Sequence, residues 1–368
     1  MPVNLVSGIN IIKNSVTLFK GLGKKALIIT GKNSAKLSGA LDDVTSLLSG
    51  LRINYTIFDD ISENPYISIC KSAGDMARRS KADFIIGIGG GSSLDAAKAA
   101  AVFATNPTLS TNELFETKFK NHPLKIVLIG TTAGTGSEIT KISVLTIDQT
   151  GHKKALSHDS LYAKIAFADP RYTYSVPKET TISTALDAFS HAVEGYFSPT
   201  CTDFPDFCAR IAIPMLWKSL LFLCNNYDNY IAPDNSIRNN LYFGSLWAGL
   251  VLNSCGTAYP HPFGYVLTED YKIPHGRACT AFLPSLVARA QTFGKDKYNL
   301  FLNLINCSFD EFKTIIDTLT DVDVEISYDE FENYLRRWTD LKNFRNTPGN
   351  FNIALARELF KSRFKIIM

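Results

Sequence analysis

The sequence predicts an α/β protein in two parts: an N-terminal doubly wound, mainly parallel sheet followed by an all-α C-terminal domain. Three observations predict it. Short apolar, β-branched runs alternate with helical patterns through Ala168, helical periodicity runs alone after Pro177, and two prolines within eight residues, Pro170 and Pro177, separate the two textures.

Strands are expected at residues 25–30, 53–58, 83–88 and 125–130, with two more at 144–148 and 164–168. Helices are expected between them at 34–49, 67–80 and 93–105. The second half carries apolar residues at helical spacing over 178–197, 207–224, 236–253, 277–291, 330–341 and 352–364. The division is placed after Pro177, giving domains 1–177 and 178–368.

Composition narrows the class. The chain has 368 residues, 45% hydrophobic and 20% charged, which suits two globular domains with a large core. A net charge of +3, with no block of like charges, argues against a nucleic-acid partner. Seven cysteines, none spaced C-x-x-C, argue against a zinc knuckle and a secreted disulfide framework. The first residues lack the pattern of a signal peptide, and no uninterrupted apolar run approaches the ~18 residues of a membrane span. A cytoplasmic protein without a membrane partner is the default expectation.

Two glycine-rich turns carry the first chemical signal. Residues 83–88 run into Gly89-Gly90-Gly91-Ser92-Ser93-Leu94-Asp95 and then an Ala-rich helix. Glycines let backbone approach a ligand, and the helix start offers unpaired N–H groups and a positive dipole end, a combination that suits phosphate. A tight turn without a ligand has the same appearance. The segment Thr131-Thr132-Ala133-Gly134-Thr135-Gly136-Ser137-Glu138 follows the 125–130 strand with hydroxyls suited to a nucleotide, or to solvent alone. Both loops lie at the carboxyl edge of one parallel sheet, where doubly wound folds bind ligands, which favours the nucleotide.

The histidines carry the second signal. Asp187 and His191 are four apart on a helical pattern marked by Ile182, Leu186, Phe189, Val193 and Phe197, so they share a face and can share a cation; a plain Asp–His surface pair fits equally well. His261 and His275 each follow a proline near expected helix ends. One carboxylate with three imidazoles suits zinc, iron, copper or nickel; four protein ligands close a zinc site, whereas Fe(II) accepts more, which favours iron. His122, His152 and His158 read as surface or loop histidines.

These residues give a resemblance. Thr30-Gly31-Lys32-Asn33-Ser34, the glycine turns, residues 186–196, the segment from His261 to His275 and Asn346-Thr347-Pro348-Gly349 resemble the iron-containing (group III) alcohol dehydrogenases, with the pattern of the NADP-dependent butanol and 1,3-propanediol dehydrogenase branch. The resemblance implies a Rossmann-like N-terminal domain and the helical C-terminal domain of the dehydroquinate-synthase-like architecture. It implies Asp187, His191, His261 and His275 as ligands of Fe(2+), with Zn(2+) as the alternative. It implies dinucleotide contacts at Gly89, Gly90, Gly91, Ser92, Asp95, Thr131, Thr132 and Thr135, and at Lys154 beside the nicotinamide ribose, with Lys153 one residue away.

Two departures matter. Where many members of the family carry a second histidine, this chain has Tyr265, and the candidate proton relay is its hydroxyl or a water chain to solvent. Where NAD-preferring members often place an aspartate, it has Gly31, which removes a carboxylate that would repel a 2′-phosphate; Lys32 and Ser34 are then placed to bind that phosphate. NADP(H) is therefore expected over NAD(H). The reaction so implied is hydride transfer between a small primary alcohol or aldehyde and NADP(H), by a homodimer or larger assembly. The alternatives are a zinc-dependent glycerol-type polyol dehydrogenase or a dehydroquinate-synthase-like lyase on the same fold, and a non-catalytic nucleotide-binding protein.

Overall fold

The computed structural model describes residues 2–367. The chain divides into two compact units, Met1–Pro177 and Lys178–Met368. The first contains, in order, β1 (Asn4–Ser7), β2 (Lys25–Thr30), α1 (Ser34–Leu37), α2 (Ala40–Gly50), β3 (Asn54–Phe58), α3 (Ile67–Arg79), β4 (Phe84–Gly89), α4 (Gly91–Thr105), α5 (Thr111–Phe115), β5 (Lys125–Gly130), β6 (Ile142–Thr146), β7 (Lys153–Ser157) and β8 (Ile165–Ala168).

Six of these strands form one parallel sheet in the order β1-β8-β5-β4-β2-β3. Its central strands read as continuous apolar runs because both faces are covered, and all six residues of β4 are buried. On one face Ile28, Ile86, Val127 and Phe167 join Val44 and Leu48 of α2 and the stacked ring of Phe19. The Ala-rich helix α4 is buried from Ser93 to Ala104. Strand order reverses between β2 and β4, so the loops after these two strands open at the switch point of the sheet.

Local chemistry accounts for the departures from expectation. The helix expected over 34–49 is divided by Gly39, at φ +79°, into α1 and α2. β1 was not expected, since four residues exposed at both ends carry too short a pattern. β6 spans two residues earlier than expected and pairs antiparallel with β7 as a separate hairpin.

The second unit contains α6 (Lys178–Phe197), α7 (Asp203–Asn225), α8 (Asn235–Cys255), α9 (Pro260–Tyr271), α10 (His275–Thr280), α11 (Leu283–Phe293), α12 (Lys295–Ile305), α13 (Phe309–Thr320), β9 (Glu325–Ser327), α14 (Tyr328–Arg337), α15 (Lys342–Arg345), α16 (Ile353–Arg363) and β10 (Lys365–Ile367). It is helical apart from β9 and β10, three-residue strands paired in parallel. α6 is buried on almost every side from Ala185 to Phe197, the setting of a central core helix. α7 is long and apolar enough by composition to cross a membrane, and half of its apolar stretch is buried. Cys208, Ala212, Leu216, Leu220 and Leu223 form its buried stripe, at the spacing of a helix packed in a core.

The segment expected as one helix over 277–291 is two, α10 and α11. α9 escaped expectation because Pro260 and Pro262 read as breakers; both occupy the first turn, where a missing N–H costs nothing. α13 also escaped, although Ser308 and Glu311 form a reciprocal cap at its start.

Candidate metal and dinucleotide sites

In the helical unit, Asp187 and His191 project from one face of α6, His261 from the first turn of α9 and His275 from the start of α10. The structure brings all four together around Asp187 Oδ1. The Nε2 atoms of His191 and His261 each lie 3.6 Å from it, and that of His275 lies 3.8 Å from it. Asp187, His191 and His261 are buried, while the His275 side chain keeps 29% exposure, which leaves one side open to solvent.

Close packing enforces this convergence. A Cβ at Gly276 would lie 1.7 Å from Ser183 O, so only glycine lets the start of α10 press against α6 one turn before Asp187. Gly276 N–H donates to Ser183 Oγ at 3.1 Å and Thr280 Oγ1 to Leu186 O at 3.0 Å, fixing the two helices on either side of the site. The rings of His191 and His261 stack at a 4.7 Å centroid separation.

Sequence reasoning missed Glu194. Fully buried on α6, it accepts hydrogen bonds from Ala258 N–H at 2.8 Å through Oε2 and from Ser190 Oγ through Oε1, which also lies 2.6 Å from His261 Nδ1. This carboxylate orients the imidazole and makes its Nε2 the face turned to Asp187. The signal was present, because Glu194 lies three residues after His191 and seven after Asp187 on the same helical face.

Without a cation, the buried charges compensate one another. Burial opposes ionisation of His261, yet Glu194 and Asp187 outweigh it and raise the imidazole to about 9. Burial likewise opposes ionisation of Asp187, but His191, His261 and His275 hold its carboxyl well below the usual range. Asp187 Oδ1 and His261 Nε2 are buried with no hydrogen-bond partner. Two inward-facing donor atoms of opposite character, each costly to leave unsatisfied, fit a shared divalent cation. Tyr265 stacks on His275 at 5.4 Å, and burial, reinforced by Cys279 and Asp187, keeps its phenol protonated well above its ordinary range.

In the first unit three loops meet at the carboxyl edge of the sheet. A Cβ at Gly31 would lie 3.9 Å from both Ser34 Oγ and Ser93 Oγ, and one at Gly89 would lie 3.6 Å from Ser34 Oγ. Positions 90 and 91 face Thr132 and Thr135, with a Cβ at Gly91 only 2.5 Å from Thr135 Cγ2. Gly89 takes φ +149° to turn the chain into α4. Thr131 N–H donates to Gly89 O at 2.9 Å, while its Oγ1 is buried without a partner, a polar group that fits a ligand hydroxyl or phosphate. Ser92 Oγ accepts from Asn64 N–H at 3.2 Å, and Lys32 forms an exposed ion pair with Asp60 at 3.5 Å.

Two residues expected to contact the dinucleotide have other partners within the fold. Both carboxylate oxygens of Asp95 are used inside the fold, accepting from Ser137 Oγ at 2.6 Å and Val144 N–H at 2.8 Å. The residue therefore fastens α4 to the Thr-rich loop and to β6. Beside it the fully buried Lys98 donates to Ser137 Oγ at 2.7 Å and Ile142 O at 2.6 Å, a second residue that sequence reasoning did not single out. Lys154 is exposed on β7, its ammonium 4.7 Å from the centroid of the Phe115 ring, which places it on the flank of the hairpin. Of the remaining histidines, His122 is exposed on a loop, His152 sits in the hairpin turn, and His158 caps a short helical turn through Ser160 N–H at 3.2 Å.

Comparison with known proteins gives the family. The description "Iron-containing alcohol dehydrogenase" matches residues 2–170, and that of the "Fe-containing alcohol dehydrogenase family, C-terminal" matches residues 181–327. A long-chain-alcohol dehydrogenase of Geobacillus thermodenitrificans is 37% identical over 72% of this chain and 66% of its own length, so the match spans just under two thirds of that relative. An NADPH-dependent butanol dehydrogenase of Clostridium saccharobutylicum is 26% identical over 86% of this chain and 80% of its own. A crystal structure of an iron-containing alcohol dehydrogenase from Thermotoga maritima superposes with a TM-score of 0.89, at 34% identity over 99% of this chain and 98% of that one. With both family descriptions matched across most of the sequence, this chain belongs to the iron-containing alcohol dehydrogenases.

Proposed function

We propose that this chain transfers a hydride between a small primary alcohol or aldehyde and NADP(H), with Fe(2+) held by Asp187, His191, His261 and His275. The observation that carries the reading is the grouping of three imidazole Nε2 atoms within 3.6–3.8 Å of the unpartnered Asp187 Oδ1. When bound, a divalent cation there supplies the positive charge that favours alkoxide over alcohol and polarises an aldehyde carbonyl, and a nicotinamide supplies the hydride carrier.

The chain's own residues do the rest. Glu194 holds His261 in the tautomer that presents Nε2 to the cation. Tyr265, its ring stacked on His275, stands beside the metal ligands as the hydroxyl that passes on a proton delivered from solvent when an aldehyde is reduced. The backbone of Gly89, Gly90 and Gly91 at the start of α4, with Thr131, Thr132 and Thr135, cradles the pyrophosphate. Gly31 leaves room for a 2′-phosphate, with Lys32 and Ser34 beside it, which supports NADP(H) over NAD(H).

Zinc is a second reading favoured by one observation. Cys279 Sγ lies 3.5 Å from His275 Nδ1 and, with His261 and His275, forms a softer donor group in the same place. The test is to remove metal, add back Fe(II) anaerobically or Zn(II), and follow consumption of NADPH against NADH with butanal and longer aldehydes. Aldehyde-dependent NADPH consumption restored by Fe(II) is the expected result. Equal turnover in the metal-free protein would overturn the proposal.

A further inference from the structure

We infer that Thr347, with Asn343 and Asn346, positions the imidazole of His261, an inference that rests on the proposed reading of His261 as a metal ligand. These three residues touch neither metal nor substrate; they hold the backbone from which the ligand projects. The chain entering α9 has few means of holding itself, because Pro260 and Pro262 bring no N–H to the first turn. Its backbone finds partners outside the helix instead.

Each of the three residues before Pro260 is held from outside α9. Thr257 O accepts from Asn343 Nδ2 at 3.1 Å and from Asn346 Nδ2 at 3.0 Å, and Thr257 Oγ1 accepts from Asn343 Nδ2 at 2.8 Å. Ala258 N–H donates to Glu194 Oε2. Tyr259 N–H donates to Thr347 Oγ1 at 3.2 Å, and that hydroxyl in turn donates to Asn343 O at 2.9 Å. Asn346 and Thr347 are buried, away from water that could replace these bonds. His261 follows two residues after Tyr259.

The supporting segment is itself anchored. Arg289 donates through Nε to Pro348 O at 2.6 Å and through a terminal nitrogen to Gly349 O. Phe351 stacks on the Tyr259 ring at 4.5 Å, and the Tyr259 hydroxyl pairs with Ser285 Oγ at 2.8 Å. Gly256, at φ +70°, permits the close approach, since a Cβ there would lie 3.0 Å from Asn346 Nδ2. Without the Thr347 hydroxyl, the buried Tyr259 N–H loses its acceptor and the backbone moves to find another. The first turn of α9 moves with it and takes His261 Nε2 off its 3.6 Å separation from Asp187 Oδ1.

Co(II), added anaerobically to the metal-stripped full-length protein, is the probe: its visible absorption reports ligand geometry, and a competing chelator reports affinity. Thr347→Val should weaken Co(II) binding by about tenfold and alter the absorption band, and Thr347→Ser, which keeps the hydroxyl, should restore both. Asn346→Ala carries the same expectation and replaces Thr347→Val should that variant fail to fold. Ser219→Ala, which removes a buried hydroxyl bonded to Met215 O within α7, should match the parent in both readouts even with a lower Tm. Co(II) affinity and absorption equal to the parent's in the folded Thr347 and Asn346 variants overturn the positioning role and leave the ligand set standing. A parent protein that takes up Co(II) no better than His261→Ala overturns the ligand reading itself, and the positioning role with it.

Discussion

Glu194 Oε1 lies 2.6 Å from His261 Nδ1, and the opposite nitrogen of that ring faces Asp187 Oδ1 at 3.6 Å. One buried carboxylate thus sets the orientation of an imidazole that a second buried carboxylate needs. Glu194 also holds the backbone of Ala258 on the approach to α9, so it governs both the direction of the ring and the position of the helix start that carries it.

Glu194→Gln should keep the fold and weaken metal binding by about 10–100-fold, because the neutral amide orients the ring without raising its basicity. Competition with a chelator reads this directly. An unchanged metal affinity would show that Glu194 serves packing alone.

His261→Ala should abolish metal-dependent turnover and leave binding of NADPH within about threefold of the parent, since the glycine-rich loops belong to the other unit. Metal content and quenching of protein fluorescence by NADPH separate the two effects. Loss of both together would mean that the two sites do not act independently.

Gly31→Asp should turn the coenzyme preference toward NADH, lowering the NADPH/NADH ratio of kcat/KM by about 10–100-fold through repulsion of the 2′-phosphate, a difference of ~1–3 kcal/mol. A Cβ at this position comes within 3.1 Å of Ile61 O, so some loss of stability accompanies the change and the ratio is the informative quantity. A ratio that stays constant removes Gly31 from coenzyme selection.

Lys98 gives a pH signature. Burial lowers its ammonium to about 8 from an ordinary 10.5, with Asp95 and Glu138 opposing. Between those values the unfolded chain binds more protons than the folded one, so the contribution of Lys98 raises stability as pH climbs from about 8 to 10.5 and is constant below 8. Urea unfolding of the parent against Lys98→Met should show this difference growing by on the order of 3 kcal/mol at most over that window. Parallel pH profiles would show that the amine is not desolvated.

Gly276→Ala should cost about 2–4 kcal/mol, since its Cβ would overlap Ser183 O at the contact that holds α10 against α6. The expected result is a lower Tm together with weaker metal retention, because the same shift moves His275 away from Asp187. A lower Tm with undiminished metal retention would separate α10 packing from the site.

Several parts of this protein are written in short stretches of sequence. Alternating strand and helix patterns, the glycine turn at 89–91 and the Asp187/His191 pair each depend on residues within about one or two helical turns, and local periodicity encodes such neighbours directly. The resemblance of residues 186–196 and of the His261–His275 segment to a known family then supplied a ligand set that spacing alone left open. What the sequence withheld lies across long loops. The meeting of Gly91 with Thr135, the pinning of α10 on α6 through Gly276, and the bond between Glu194 and His261 were decided only by the packing of the folded chain. Such contacts join residues tens of positions apart, and whether they form depends on side-chain volume and backbone approach in three dimensions, which no periodicity along the chain records.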